Sequence, residues 1–310
     1  MRDLESTCAP TTLAGGFARA ARQSLEKLRE GEARIRKDGD LEGVHLMRTS
    51  CRRLRATVKY LGDHLGRKEQ KDLQRGLQNL MAALGPVRDL DVLRAAVESV
   101  EFLDPDESRG LGEEIKQRLA AADVAMRETL DSPQYSGLLG RLELAVRNAT
   151  NDEPLHLHGP TRIMDAVAGV MRLKPADWSQ APEESLHDLR KAVKKLRYAL
   201  EAFAPGYGRP VARQIERCRD LQESLGTLQD SAVFSTHLKG LRTFVAGQFI
   251  ATMRSRAVGQ LEELPALWAR TFPAKGMARL GGHLLRRAVK SPQKKQGEEP
   301  VAKPVAASGA

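Results

Sequence analysis

His45-Leu46-Met47-Arg48-Thr49-Ser50-Cys51-Arg52-Arg53-Leu54-Arg55 is followed, 142 residues later, by His187-Asp188-Leu189-Arg190-Lys191-Ala192-Val193-Lys194-Lys195-Leu196-Arg197. Both stretches read His-x2-Arg-x3-[Arg/Lys]-[Arg/Lys]-Leu-Arg, and six matched positions at one spacing predict an internally duplicated chain. In the first copy Val44, Met47, Cys51, Leu54, Val58 and Leu61 recur at the three-and-four spacing of a buried helix face. Leu186, Leu189, Val193, Leu196, Leu200 and Phe203 repeat it in the second. At about 100° per residue, His45, Arg48, Arg52, Arg55 and Lys59 fall in a narrow stripe about 21 Å long. That stripe lies roughly a quarter turn from the apolar one, so the cations are expected to edge the packed interior.

Neither helix compensates its own charge. No Asp or Glu lies between Gly43 and Gly62 or between Leu189 and Leu200, and each interval holds five Arg or Lys. Like charges three or four apart cost a few tenths of a kcal/mol each, so Arg48/Arg52, Arg52/Arg55 and Arg55/Lys59 together cost roughly 1 kcal/mol. An anionic ligand or carboxylates from other helices would remove that penalty; a solvated basic face is the plainer alternative. The whole chain leans the same way, with a formal net charge of +10 and a pI near 9.7. A polyanionic partner follows, with nucleic acid, anionic lipid and phosphate polymers all eligible.

Aromatic residues make up only 4% of the 310 residues, so Leu, Val and Ala must fill the core of an all-α protein. Cys8, Cys51 and Cys218 show no metal-ligand spacing, which fits a reduced, cytoplasmic chain. The first residues lack the apolar run of a signal peptide, and no stretch approaches the ~20 apolar residues that cross a bilayer.

Helices are expected over about 12–37, 41–65, 68–84, 89–100, 107–130 and 133–149. In the second half they are expected over about 162–173, 182–203 and 209–225, with further helices to about 289. The third is expected to stop at Gly85-Pro86, with Asp89 capping its successor, and the helix from 209 to stop at Gly226. Leu80, Leu84, Gly85 and Asp89 match Leu221, Leu225, Gly226 and Asp230 at a spacing of 141, which extends the duplication beyond the motif helices.

The two motif stretches, with Leu84-Gly85-Pro86-Val87-Arg88-Asp89-Leu90-Asp91 and Leu225-Gly226-Thr227-Leu228-Gln229-Asp230, resemble the CHAD family, the conserved histidine α-helical domain. The resemblance covers roughly residues 12 to 290. It implies two duplicated antiparallel helical bundles related by pseudo-twofold symmetry and packed into one domain. On that reading, residues 1–11 form a flexible N-terminus and 12–290 the domain. Half-repeats 12–149 and 160–290 flank a linker at 150–159, and 291–310 form a disordered tail.

The resemblance also implies noncatalytic binding of inorganic polyphosphate in a basic groove, with recruitment to polyphosphate granules. Carried over by position, the phosphate contacts are His45, Arg48, Arg52, Arg53, Arg55, Lys59 and Arg88 in half one. In half two they are His187, Arg190, Lys191, Lys194, Lys195 and Arg197. Gln229 stands where Arg88 has its counterpart and Glu201 where Lys59 has its own, so the halves are expected to contribute unequally. No cofactor or metal is implied, and the N-terminus lacks the Glu-x-Glu-x-Lys start of a fused triphosphate-tunnel domain.

Polyphosphate has no base to stack and no edge to read; repeated donors along a rail are what it requires. Arg offers a planar fork and Lys a mobile point charge. Histidines at the rim would tighten binding as pH falls from 8 to 6, unless they instead pack against an acid such as Asp89 or Asp230. Two other functions remain open. A polyphosphate- or triphosphate-processing enzyme would need Mg²⁺ held by carboxylates, and Asp89, Asp91 and Asp230 are the acids near the motifs. RNA or other nucleic acid is the third reading, disfavoured by low aromatic content. His156-x-His158 reads as a loop pair beside Gly159-Pro160, and Tyr60 and Tyr198 as packing residues.

Overall fold

The computed structural model describes residues 12–99, 105–151, 153–238 and 244–289. Their helices are α1 (Leu13–Asp38), α2 (Leu41–Leu61), α3 (Arg67–Glu98), α4 (Pro105–Leu130), α5 (Pro133–Arg147), α6 (Leu155–Met171), α7 (Glu183–Tyr207), α8 (Arg209–His237), α9 (Phe244–Thr271) and α10 (Ala274–Val289). No strand occurs among the described residues, so the fold is all-α as the periodicity requires. The expected termini, 1–11 and 291–310, lie outside the described residues.

The α1–α2 hairpin shows how local chemistry sets the frame. Gly39 closes α1 at φ +66°, a conformation that suits a residue without Cβ, and its N–H reaches the Ile35 carbonyl at 3.0 Å. Asp40 caps α2 by accepting from the Glu42 N–H at 2.9 Å, and Arg34 Nε donates to the same carboxylate at 2.9 Å. The two helices then cross at Gly31 and Gly43, where a Cβ on either would come within 2.7 Å of the other's carbonyl oxygen.

Contacts made in the first five helices recur in the last five. Helix α1 packs on α2 as α6 does on α7, and α2 on α3 as α7 on α8. Likewise α3 packs on α4 as α8 on α9, and α1 on α5 as α6 on α10. The two sets meet where α2 lies against α7, and again where α4 lies against α9. An antiparallel backbone bridge also pairs Thr12 with Pro154, positions 142 apart, as an approximate twofold axis would.

Every residue of both predicted apolar stripes is buried, from Val44 to Leu61 and from Leu186 to Phe203. They join one core with Phe17, Leu77 and Tyr207. A second, smaller cluster of Leu93, Val97, Leu111, Phe234 and Phe249 closes the far ends of α3, α4, α8 and α9. There Arg118 Nη1 donates to the His237 carbonyl at 2.7 Å, tying the halves again.

Five boundaries differ from the sequence reading by four residues or more, one of them the end of α7 at Tyr207 where about 203 was expected. Helix α3 runs through Gly85-Pro86, and Asp89 is an interior residue of it, not a cap. The proline forfeits one backbone bond at a cost of about 3 kcal/mol. Continuing the helix buries Val87, Leu90 and Leu93, each worth about 1.5–3 kcal/mol, which outweighs it. Helix α8 likewise passes through Gly226. Helix α2 stops at Leu61, four residues early, with Gly62 as its cap. Helix α6 begins at Leu155, inside the expected linker, so His156 and His158 are helical and not in a loop.

Candidate functional site

With their apolar faces buried, α2 and α7 bring part of their cations to the seam where they meet. A groove of about 280 Å³ opens there, lined by Arg52, Arg55 and Lys59 of α2 and by Lys191, Lys194 and Lys195 of α7. Tyr60, Tyr198, Ala56, Gln74 and Met81 complete the wall, and no carboxylate does. Tyr60 Oη donates to the Lys195 carbonyl at 3.1 Å, fixing one motif helix against the other. Gln74 of α3 donates to the Arg55 carbonyl at 2.7 Å and accepts from Arg55 Nε at 3.3 Å, holding that guanidinium without neutralising it.

The electrostatics follow from this convergence. Burial, and then Arg52, Arg190, Arg48 and Arg197, push the Lys194 ammonium down to about 7. Lys59 is lowered by burial and then by Lys195. Burial lowers His45 as well, followed by Arg88; Glu42 opposes them, while Arg52 and Arg48 add to the depression. The buried Nε groups of Arg52 and Arg190 have no hydrogen-bond partner.

Beyond the groove, toward α3 and α8, the cations meet acids. Arg48 lies 3.6 Å from Asp89, and Arg88 Nη1 donates to Asp91 Oδ2 at 2.6 Å. The buried Asp91 also takes Arg94 at 3.0 Å. Burial raises the Asp230 carboxyl; Arg190 opposes that, Asp89 adds to it and Arg88 opposes it. The two glycines expected to end helices serve this cluster. A Cβ at Gly85 would stand 3.3 Å from the Arg48 guanidinium, and one at Gly226 would stand 3.4 Å from that of Arg190. His187 is half-buried on α7 at the position matching His45, and the side chain of Gln229 lies outside the described residues.

Two further residues carried over as phosphate contacts also lie outside the groove lining. Arg53 faces a separate groove, with Glu26 and Glu30 of α1 and Glu201 of α7, because one helical step past Arg52 turns it about 100° around α2. Arg197 is directed inward: Nη1 donates to Glu201 at 2.6 Å and Nε to Gln222 at 3.0 Å, and its guanidinium lies 4.6 Å from the Tyr198 ring centroid. Lys191 lines the groove but is paired with Asp188 at 2.6 Å on an exposed surface, where such a pair is weak. Gln74 was missed, since nothing marks it among the polar positions of its helix.

Other candidate chemistry finds structural uses. His158 Nε2 lies 2.8 Å from Glu153, and the Tyr207 hydroxyl donates to the His156 carbonyl. Among the described residues no three His, Cys, Asp or Glu side chains are grouped to hold a metal ion, and no helix is long and apolar enough to cross a membrane. The buried Cys51 and Cys218 thiols are both pushed up to about 12, chiefly by desolvation.

Comparison with known proteins places this arrangement. The family model described as the CHAD domain matches residues 19–239. Two uncharacterized proteins from two strains of Mycobacterium tuberculosis are each 27% identical over 236 residues, covering 71% of this chain and 44% of theirs. The chain thus spans under half the length of the curated relatives it matches. Among solved structures, the CHAD domain from the plant Ricinus communis superposes with a TM-score of 0.64 at 23% identity, over 89% of this chain and 93% of that one. PptA from Streptomyces chartreusis superposes with a TM-score of 0.53 at 15% identity, over 85% and 99%.

Proposed function

Because the chain belongs to the CHAD domain family, we propose that it binds inorganic polyphosphate in the α2–α7 groove and does not turn it over. The observation that carries this is the groove itself: six cations drawn from two helices, with no acid in the lining. A polyanion would neutralise them, give the unpaired Nε of Arg52 an acceptor, and restore a full proton to Lys194. The halves are read as copies of one unit, and granule recruitment as the consequence of binding.

Hydrolysis would need carboxylates free to hold Mg²⁺, yet Asp91 is committed to Arg88 and Arg94, and Asp89 faces Arg48. Single-stranded nucleic acid would need open aromatic faces. Tyr60 is buried, and Arg197 already covers Tyr198.

Binding should tighten as pH falls. A polyanion raises the Lys194 pKa above its free value of about 7, so affinity climbs as pH drops from about 9 toward 7. His45, already lowered in the free protein, extends the trend below 7. Titration with polyphosphate at two ionic strengths tests the reading. Steep weakening by salt and no Mg²⁺-dependent phosphate release are expected. Preference for RNA at matched charge, or phosphate release with Mg²⁺, would overturn it.

A further inference from the structure

The groove does not end at Lys59 and Lys195. Those two lysines and Tyr60 also line a neighbouring depression of about 550 Å³, on the other side of the same ridge, whose far wall is α6. There Arg172 is exposed and folds back over Gly169, so that a Cβ on that glycine would stand 3.9 Å from its guanidinium. Neither Arg172, Lys59 nor Lys195 has an ion-pair partner among the described residues, and Lys195 contributes to lowering the Lys59 ammonium. Arg162, also in the wall, is held by Asp63 and the Tyr60 carbonyl, so it frames the depression without supplying free charge. Asp165 is the one acid in the lining.

The matching depression in the other half, between α7, α1, α2 and α8, is mixed in charge, with Lys27, Arg53 and Arg219 in its lining beside three glutamates. Shifting by 142 residues, Glu30 stands where Arg172 does and Glu201 where Lys59 does, with Glu26 beside them. A polyanion leaving the central groove meets an excess of cations on the α6 side, and on the α1 side three carboxylates that offset the three cations there.

We propose that a long polyphosphate chain leaves the central groove in one direction only, over the Lys59–Lys195 ridge into the α6 depression, where Arg172 binds its further phosphates. This rests on polyphosphate being the ligand of the central groove, and it makes chain length a property the protein reads. Tripolyphosphate fills the central groove alone, while chains of some tens of phosphates also engage Arg172.

Affinities of Arg172→Glu and of the unaltered chain for these two probes, each at two salt concentrations, test it. The variant should bind the long chain about 5–10-fold more weakly and with a flatter salt slope, by about 0.7 for each phosphate left without its cation. Its affinity for tripolyphosphate should stay within about twofold. Glu30→Arg, which gives the α1 side the residue found on the α6 side, should tighten the long chain alone. Unchanged long-chain binding in Arg172→Glu, or equal weakening on both probes, overturns the one-way path while leaving the central site standing. Failure of the unaltered chain to bind either probe overturns both.

Discussion

On the α3 side of the α2–α7 pair, Arg55 and Lys59 keep their charge and face an open groove. On the α8 side, the corresponding Arg197 is tied to Glu201 and to Gln222, the residue matching Met81, and the groove that Glu201 lines is mixed in charge. One backbone arrangement thus yields a cationic groove in one half and an internal ion pair in the other. Two of the differences between the sides are Lys59 against Glu201 and Met81 against Gln222. A repeated scaffold supplies two helices of the same character, and a single carboxylate four residues from an arginine decides which half presents its charge. Neighbouring acids repeat the bias, since Glu30 and Glu201 flank the α7 side while Arg172 and Lys59 flank the other.

The largest break in this asymmetry should come from removing the charge shared by both helices. Arg52→Gln with Lys194→Met is expected to weaken polyphosphate binding by more than about 50-fold near 0.1 M salt and to flatten the log–log salt slope by about 1.4, measured by titration across salt.

Lys194→Met alone should cost about 10-fold in affinity yet raise the melting temperature of the free protein by about 2–4 °C at pH 7. The reason is the sign of its shift. Its folded value of about 7 lies below the ordinary 10.5, so the unfolded chain holds more protons between those values and the free protein gains stability as pH rises through them. The melting advantage of the variant should therefore shrink toward pH 10, which thermal unfolding across pH checks.

Glu201→Lys, which gives the α8 side the residue of the α3 side, should release Arg197 and tighten polyphosphate about three-fold with a steeper salt slope. Arg53→Ala is the smallest case. Facing Glu26 and Glu30 instead of the groove, it should leave affinity within about twofold in the same titration.

The apolar stripes were legible because a period near 3.6 leaves no second way to bury Met47, Leu54, Leu189 and Leu196 at once, and the cations beside them followed. Glu201 was legible as a difference between the halves, but its capture of Arg197 was not, because that also involves Gln222 of α8, whose position beside α7 the spacing does not give. Arg53 came in with the family motif although the helical stripe of His45, Arg48, Arg52, Arg55 and Lys59 already left it out, and the stripe agrees with its place in the other groove. Gly85-Pro86 and Gly226 read as helix ends since local propensity favours it. The tertiary requirement, space for Arg48 and Arg190 beside a continuous core helix, outweighed that preference. Lys194 stood in the motif, yet its lowered pKa arises from Arg52 and Arg48 across the seam, a juxtaposition only the fold supplies.

The claim that cations from both motif helices converge on one bound polyanion is tested most directly by proton uptake, measured by calorimetry at pH 8 in buffers of different ionisation enthalpy. With Lys194 lowered to about 7 in the free protein, polyphosphate binding at pH 8 should draw in a substantial fraction of a proton, and Lys194→Met should abolish most of that uptake. Binding of undiminished affinity with no proton taken up would place the polymer away from the seam and contradict the account.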